Sequence, residues 1–305
     1  KYATARKEAD LPEFVSGVVD DVTCGAPVCA LIRNTDTRSG DYANLRDVPR
    51  PSHADYPAYV KFGAAHDIRG GGHFSGRLTA PLCIAGGIGL QMLRARGVSI
   101  GAHIASVGSV NDARFDAVNV STSDFDKIAA NGFPVLDWQA GEKMLAEIES
   151  ARADADSIGG TIECAAVGLP AGLGDALFGG LEGRMSMALF GVPAVKGVEF
   201  GNGFECATLR GSQNNDPFVI ENGKIKTLTN NAGGILGGIT TGMPLIFKVA
   251  IKPTPSIGKP QQSVSLSRME NSELVIKGRH DPCIVPRAVP VIEAAAALAL
   301  LDVML

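Results

Sequence analysis

Aromatic residues are scarce in this sequence: Phe, Trp and Tyr make up 6% of it, with one Trp and four Tyr. A surface that grips nucleobases by stacking needs more of them. Positive charge is not in excess either. The 305 residues carry a formal net charge of -4, whereas a general nucleic-acid binder is basic. An uninterrupted apolar run of the ~20 residues that span a bilayer is also missing. The longest candidate, Val289 to Leu305, is broken by Pro290, Glu293 and Asp302. The opening Lys-Tyr-Ala-Thr-Ala-Arg-Lys has no signal-peptide pattern. The expectation is a cytoplasmic protein that engages neither nucleic acid nor membrane.

Paired cysteines are lacking too. Cys24, Cys29, Cys83, Cys164, Cys206 and Cys283 form no Cys-x-x-Cys pair, and no His-x-x-x-His partner accompanies them. The spacing argues against a zinc site, no metal is expected, and the thiols are expected to be reduced and mostly buried in the core. The sequence has no P-loop, no Gly-x-Gly-x-x-Gly, no His-Glu-x-x-His and no Gly-x-Ser-x-Gly. Nucleotide hydrolysis, Rossmann hydride transfer, zinc proteolysis and α/β-hydrolase chemistry thereby lose their usual support.

What is present is a folded composition, 45% hydrophobic and 20% charged, with 37 glycines. A chain rich in Gly and poor in aromatics makes close contacts through its backbone, which suits phosphate or a flat cofactor. No linker rich in Pro, Ser or charge divides the sequence, so a single domain over 1–305 is expected. Alternation predicts strands around Val98–Ile104, Ile158–Ala166 and Leu245–Ile251, the last ended by Lys252-Pro-Thr-Pro-Ser256. Helical spacing predicts helices over Ser75–Arg96, Trp138–Ala153 and Gly172–Phe190, and a buried helix over Ala288–Leu305. In the third, Leu173, Leu177, Leu181, Met185 and Leu189 recur every fourth residue and read as core.

Charge is unevenly placed. Asp112 to Ser157 holds ten Asp/Glu against four Lys/Arg. Arg50 to Thr79 holds four Lys/Arg against two Asp, with three of the five His, and Lys252 to Arg287 holds six Lys/Arg against three Asp/Glu. Two cationic blocks in an acidic chain point to anion binding or to ordinary surface variation.

Four segments stand out. The first is Arg50-Pro-Ser-His-Ala-Asp-Tyr56, and the second Asp67-Ile-Arg-Gly-Gly-Gly-His-Phe-Ser-Gly-Arg-Leu-Thr79. In the second, Ser75 can cap a helix with Arg77 in its first turn, which makes either an anion site or a tight turn closed by a surface Arg. The third is Asn230-Asn-Ala-Gly-Gly-Ile-Leu-Gly-Gly-Ile239, a Gly-rich bend or a cradle for something flat. The fourth, Gly278-Arg-His-Asp-Pro-Cys-Ile-Val-Pro-Arg287, sets Arg, His and Asp beside an apolar helix, where charge must be paired if buried.

These segments, in this order and together with Lys252-Pro-Thr-Pro-Ser-Ile257, Arg33-Asn-Thr-Asp36 and Pro193-Ala-Val-Lys-Gly197, resemble chorismate synthase nearly end to end. The resemblance implies an α+β fold, a chorismate synthase-like β-α-β sandwich with helices packed between antiparallel sheets, assembled as a homotetramer. It implies a lyase that converts 5-enolpyruvylshikimate 3-phosphate to chorismate and phosphate by 1,4-anti elimination, the last step of the shikimate pathway. Reduced FMN is the implied cofactor. NADPH serves only indirectly, for flavin reduction, and nothing resembles an added reductase module, so an external source of reduced flavin is expected.

The resemblance also implies site residues. His53 matches the catalytic His near the reduced flavin, and histidine is the side chain that ordinarily titrates near neutrality. Asp281 matches the acidic residue that helps deprotonate flavin N5; the lesser alternative is a salt bridge to Arg279 or Arg287. Arg50, Ser75, Arg77 and Arg279 match substrate-binding positions, and the fork of arginine suits phosphate and carboxylate. His73, Phe74, Ser75, Ala194, Gly237, Lys252, Pro253, Thr254, Pro255, Ser256 and Arg279 match flavin-binding positions. His66 and His103 match no role, and His103 reads as a satisfied structural histidine on a strand.

The sequence departs from the family at several points. The usual second block reads Gly-Gly-Arg-Ser-Ser-Ala-Arg-Glu-Thr, and here His73, Phe74, Gly76 and Leu78 replace Arg, Ser, Ala and Glu. Pro193 stands where some members carry Asn. Lys1 aligns after a family block containing Phe-Gly-Glu-Ser-His-Gly, whose His protonates the departing phosphate; a chain starting at Lys1 is expected to be inactive or nearly so. Two alternatives remain beside the enzyme: a flavin- or phosphate-binding homologue without catalysis, and a structural protein retaining the fold.

Overall fold

The computed structural model describes residues 10–33, 45–276 and 281–305. Its central element is a five-stranded antiparallel sheet of β1 (Ser99–Val107), β2 (Val110–Asn111), β3 (Gly160–Val167), β4 (Val195–Phe200) and β5 (Leu245–Ile251), ordered β2-β1-β3-β5-β4. Three of these strands are those read from the alternation. The register lines up Ile104, Ile162, Val249 and Val198 across the four long strands, with Ala102, Cys164, Phe247 and Phe200 in another row on the same face. Because side chains alternate along a strand, the row between them faces the other way. That row is His103, Glu163, Lys248 and Glu199.

The apolar face is covered by helices. These are α2 (Thr79–Arg94), α4 (Trp138–Ala153), α5 (Leu181–Phe190) and α6 (Val285–Met304), with α1 (Asp55–Phe62) and α3 (Thr122–Ala130) lying elsewhere. α6 packs on β1 and against both α2 and α5, and Ile292, Ala295, Ala296, Ala297 and Leu300 on it are fully enclosed. Burying Ile292 and Leu300 contributes about 1.5–3 kcal/mol each, and each alanine methyl less than ~1 kcal/mol. α2 and α6 approach so closely that a Cβ on Gly86 would lie 2.3 Å from Ala294 Cβ. The opposite face is closed by Phe115, Val120 and Ile128 against Ala165 and Ile246, with the Phe125 ring on Gly101. The remaining strands pair as two-stranded sheets. Among the described residues no helix is long and apolar enough to cross a membrane.

Three expectations need correction. The helix expected over Gly172–Phe190 begins only at Leu181. Gly172 and Gly174 hold left-handed φ of 97° and 100°, and Leu177, at φ 56°, is 88% exposed; of the leucine stripe, Leu181, Met185 and Leu189 are core. Ser75 does not cap the long helix. It accepts from Arg77 N at 3.3 Å at the head of a 3-10 turn over Gly76–Leu78, which leads into α2. The thiols are not mostly core: Cys164 and Cys283 are buried, but Cys24, Cys29 and Cys206 are exposed.

His103 is the satisfied histidine expected. Its Nδ1 lies 2.9 Å from Asp112 Oδ2 and its Nε2 3.0 Å from Glu163 Oε2, so both nitrogens meet carboxylates. Burial alone would lower the His103 pKa, but the two hydrogen bonds and charges outweigh it and raise it. Asp112 also accepts from Leu136 N and Asp137 N, and Glu163 from Phe115 N, so the cluster pins two loops to the sheet.

Candidate active site

Arg50 to His53 form a β-turn closed by His53 N–H to Arg50 C=O at 3.2 Å. Pro51 occupies the second position, where its fixed φ fits, and Ser52 the third with φ 58°. The left-handed position is usually left to glycine. A serine held there costs on the order of 1 kcal/mol and is found where surrounding contacts fix it. One such contact is on hand: the Lys252 ammonium donates to the Ser52 carbonyl. The turn sets the Arg50 and His53 side chains together, Nη2 lying 3.1 Å from Nδ1.

Asp55, the first residue of α1, completes the group. Its Oδ2 accepts from Arg50 Nε at 2.7 Å and from Arg50 N at 3.0 Å. Its Oδ1 accepts from Arg50 Nη2 at 2.8 Å and lies 2.6 Å from His53 Nδ1. Burial by itself would raise the Asp55 carboxyl, but hydrogen bonds from Arg50 and His53 hold it well below the usual carboxylate range. Arg50 Nη1 donates to Ser256 Oγ at 3.2 Å. Arg50 therefore spends most of its five N–H hydrogens inside the protein, and it is 8% exposed. Sequence reading gave Asp55 no role; the signal was an acid two residues from the His, in a block that must pair its charges.

Neighbouring segments hold this turn in place. The hairpin Gln261–Ser265 with Glu270–Leu274 docks on residues 47–49: Leu266 N donates to Asp47 O at 2.9 Å, Ser265 Oγ to Asp47 Oδ2 at 2.7 Å and Ser263 Oγ to Pro49 O. Leu45, Ile68, Leu274 and Ile276 form a small apolar cluster beneath. The triple-Gly segment winds as a 3-10 helix over Arg69–Phe74. Gly71 (φ 86°) lies where a Cβ would sit 3.8 Å from His53 Nε2 and 3.9 Å from Ser75 Oγ, and at Gly72 a Cβ would meet Asp67 O at 2.3 Å. Glycine is required at both.

The Lys252–Ser256 stretch meets both Ala194 and the fourth segment. Lys252 N–H donates to Ala194 O at 3.0 Å, and Ala194 has φ 74°. Burial, with the charge of Lys196 second, lowers the Lys252 pKa. Thr254 Oγ1 donates to Asp281 O at 3.1 Å, and Ser157 Oγ to Thr254 O at 2.7 Å, which fixes the Pro253–Pro255 stretch. The Asp281 carboxylate takes an ion pair from Arg287 Nη1 at 2.6 Å, the pairing that the sequence left open. His73 is exposed, while Phe74 is half-buried, edge-on to the His66 ring at 6.3 Å. Arg77 is exposed one turn before α2.

The structure thus gathers Arg50, His53, Ala194, Lys252, Thr254, Ser256 and Asp281 through hydrogen bonds and adjacency in the chain, with Ser75 near Gly71 beside His53. Gly237 sits on another hairpin turn, whose contacts run to Asp175, Gly180 and Leu181. Arg279, with Asn34, Thr35 and Asp36, lies outside the described residues. Among those described, no group of three or more His, Cys, Asp and Glu is placed to hold a metal ion.

The family model described as chorismate synthase matches residues 1–305. The chain belongs to the chorismate synthase family. It is 49% identical over 303 residues to the chorismate synthase of Thermococcus gammatolerans, covering 99% of this chain and 83% of that protein. It is 47% identical over 312 residues to that of Lancefieldella parvula, covering 99% of this chain and 82% of the relative. A crystal structure of chorismate synthase superposes with a TM-score of 0.74 at 27% identity, covering 96% of this chain and 77% of the other. The α+β fold is that of the family.

Proposed function

We propose that the protein is a lyase converting 5-enolpyruvylshikimate 3-phosphate to chorismate and phosphate by 1,4-anti elimination. The observation that carries the reading is the convergence of the Arg50–His53 turn with Lys252 and Ser256, inside a chain of chorismate synthase sequence. The substrate brings one phosphate and two carboxylates, so its site needs several cations and few exposed carboxylates.

The residues suit a reduced FMN. Lys252 is a cation made less comfortable by burial and by Lys196, a state that an anionic group relieves. Lys252 contacts Ala194 and Ser52, the Ser256 hydroxyl meets Arg50, and Gly71 lies beside His53, so the group offers one cation, hydroxyls and closely approachable backbone. Lys252, Pro253, Thr254, Pro255, Ser256, Ala194, Phe74 and Ser75 would hold the flavin, with His73, Gly237 and Arg279 assigned by family likeness. The chemistry reduced FMN supplies when bound is transient electron density for the departure of phosphate, recovered as the C6 hydrogen leaves, with no net redox change.

The rest falls to side chains. Arg77 and Arg279 bind and orient the substrate's oxyanions, and Ser75 adds a hydroxyl. Arg50, buried and committed to Asp55 and Ser256, orders the site from behind and contributes its charge. His53 holds or releases a proton at Nε2. Asp281, fixed by Arg287 at one oxygen, accepts a proton at the other. We further assign one domain over 1–305, a homotetrameric assembly, a cytoplasmic location and an external supply of reduced flavin, NADPH acting only through that supply.

The test is an anaerobic assay of the full-length protein with photoreduced FMN, comparing wild type with His53→Ala and Asp281→Ala. Loss of roughly 10²- to 10⁴-fold in turnover with the fold retained is expected of acid–base groups. Near-normal rates in both variants refute the assignment. FMN binding without chorismate formation by the wild type would mark a non-catalytic flavin-binding homologue.

A further inference from the structure

We propose that Asp55 is a positioning residue that holds His53 with its proton on Nδ1 and so leaves Nε2 as the working nitrogen. The inference deepens the reading above, in which His53 exchanges a proton. It rests on two contacts at Nδ1 and on what lies beside Nε2. The Nδ1 of His53 lies 2.6 Å from Asp55 Oδ1, a separation that requires a hydrogen between them. A carboxylate bound to a guanidinium has no proton to give, so Nδ1 is the donor. Arg50 Nη2, 3.1 Å from the same nitrogen, is itself a donor and cannot take that proton. On the other side of the ring, Nε2 lies beside Gly71, 3.8 Å from the point that a Cβ there would occupy.

The hydrogen bond made by one ring nitrogen decides the protonation of the other. With Nδ1–H committed to Asp55, the neutral ring carries its lone pair at Nε2, and a proton taken up there is the one available for exchange. Asp55 is also locked. Its Oδ2 accepts from both Arg50 N and Nε, and it lies at the start of α1 with a side chain 5% exposed. The Arg50 fork sets the plane of the carboxylate, and the carboxylate sets the imidazole. This relay explains why an arginine in a cationic block is buried on an aspartate instead of standing open to solvent.

Asp55→Asn separates this role from mere support. The Asn carbonyl stays at the Oδ2 position, where Arg50 N and Nε both donate, which places its amide at the Oδ1 position facing His53 Nδ1 and gives up only the one bond from Arg50 Nη2. That amide donates, so the neutral ring is expected to flip to the Nε2–H tautomer. The readout is 15N NMR of histidine-labelled protein without flavin, at a pH where the ring is neutral, with His53 assigned by its loss in His53→Gln. Wild type is expected to show Nδ1–H and Asp55→Asn Nε2–H. In the anaerobic assay kcat should fall 10²-fold or more, with KM for the substrate changed far less; a wrong tautomer in another Asp–His pair costs about 10⁴. A wild-type ring already in the Nε2–H form overturns the proposal without any variant. So does a flipped tautomer with unchanged kcat. If the wild type makes no chorismate, the functional reading fails, while the tautomer comparison still decides the role of Asp55.

Discussion

Three glycines in one helix offer a controlled test of how α2 meets α6. Replacing any of Gly86, Gly87 or Gly89 by Ala gains about 1 kcal/mol of helix propensity, so packing alone should separate them. A Cβ at Gly87 meets nothing within 4 Å. At Gly89 it would lie 3.7 Å from Ala297 Cβ and Leu298 Cδ2, an ordinary van der Waals distance. At Gly86 it would lie 2.3 Å from Ala294 Cβ, 2.5 Å from its Cα and 2.9 Å from its carbonyl oxygen. None of those atoms is the end of a flexible side chain, so the two helices must move apart. Overpacking of this kind costs about 1–3 kcal/mol, occasionally more, and here it also unseats core packing along α6. Gly87→Ala and Gly89→Ala should be neutral or stabilising by up to ~1 kcal/mol. Gly86→Ala should fall below Gly87→Ala by about 2 kcal/mol or more. Urea midpoints at unchanged m-value read the difference. Adding Ala294→Gly should restore only part of the loss, because the clash with the backbone of residue 294 remains. If Gly86→Ala unfolds at the same midpoint as Gly87→Ala, the close crossing of α2 and α6 is wrong.

Other outcomes follow from charge and backbone. The raised pKa of His103 means that its bonds to Asp112 and Glu163 stabilise the fold fully below about pH 6.5, a contribution lost as pH rises through the higher folded value. Unfolding free energies between pH 6 and 9 should therefore decline more steeply in wild type than in His103→Gln; equal slopes would contradict the paired imidazolium. Glu293 is a buried carboxyl pushed up from 4.5 to about 7, mainly by burial, although Ala102 N–H donates to it at 2.8 Å. Folding then disfavours its ionised form, so stability is lost between pH 4.5 and 7. Glu293→Gln, which keeps the acceptor, should gain up to ~3 kcal/mol at pH 8 and nothing at pH 4. A variant no more stable at pH 8 than at pH 4 relative to wild type would count against this. Ser52→Gly should relieve the left-handed strain and raise the melting temperature slightly with His53 undisturbed; destabilisation would show that Ser52 makes contacts beyond its carbonyl.

Strand alternation made the sheet legible, and the helix over Trp138–Ala153 falls where its spacing put it. The leucine stripe after Gly172 misled because periodicity takes no account of backbone. Glycines at positive φ and the exposed Leu177 stop the helix that the spacing would continue. Among site residues, the turn Arg50–His53 was visible as a motif, but its closure by Asp55 was not, since pairing geometry is absent from a string of residue types. The His103–Glu163 pair spans 60 residues and exists only through the register of β1 on β3. Asp281 had two arginines within reach in sequence, and geometry selects Arg287 among those described.

The Arg50 turn is held from far along the chain: Ser256 is 206 residues away and Lys252 200 residues from the carbonyl it binds. Contacts so distant in sequence close late, because the loop between them must be ordered first. During synthesis the first half of the site emerges with its left-handed serine unsupported, and the support arrives only once β5 has paired and the chain beyond it is made. Competence to bind should therefore appear in one step near the end of folding. Fragments ending before residue 252 should lack it altogether, whatever local structure they form.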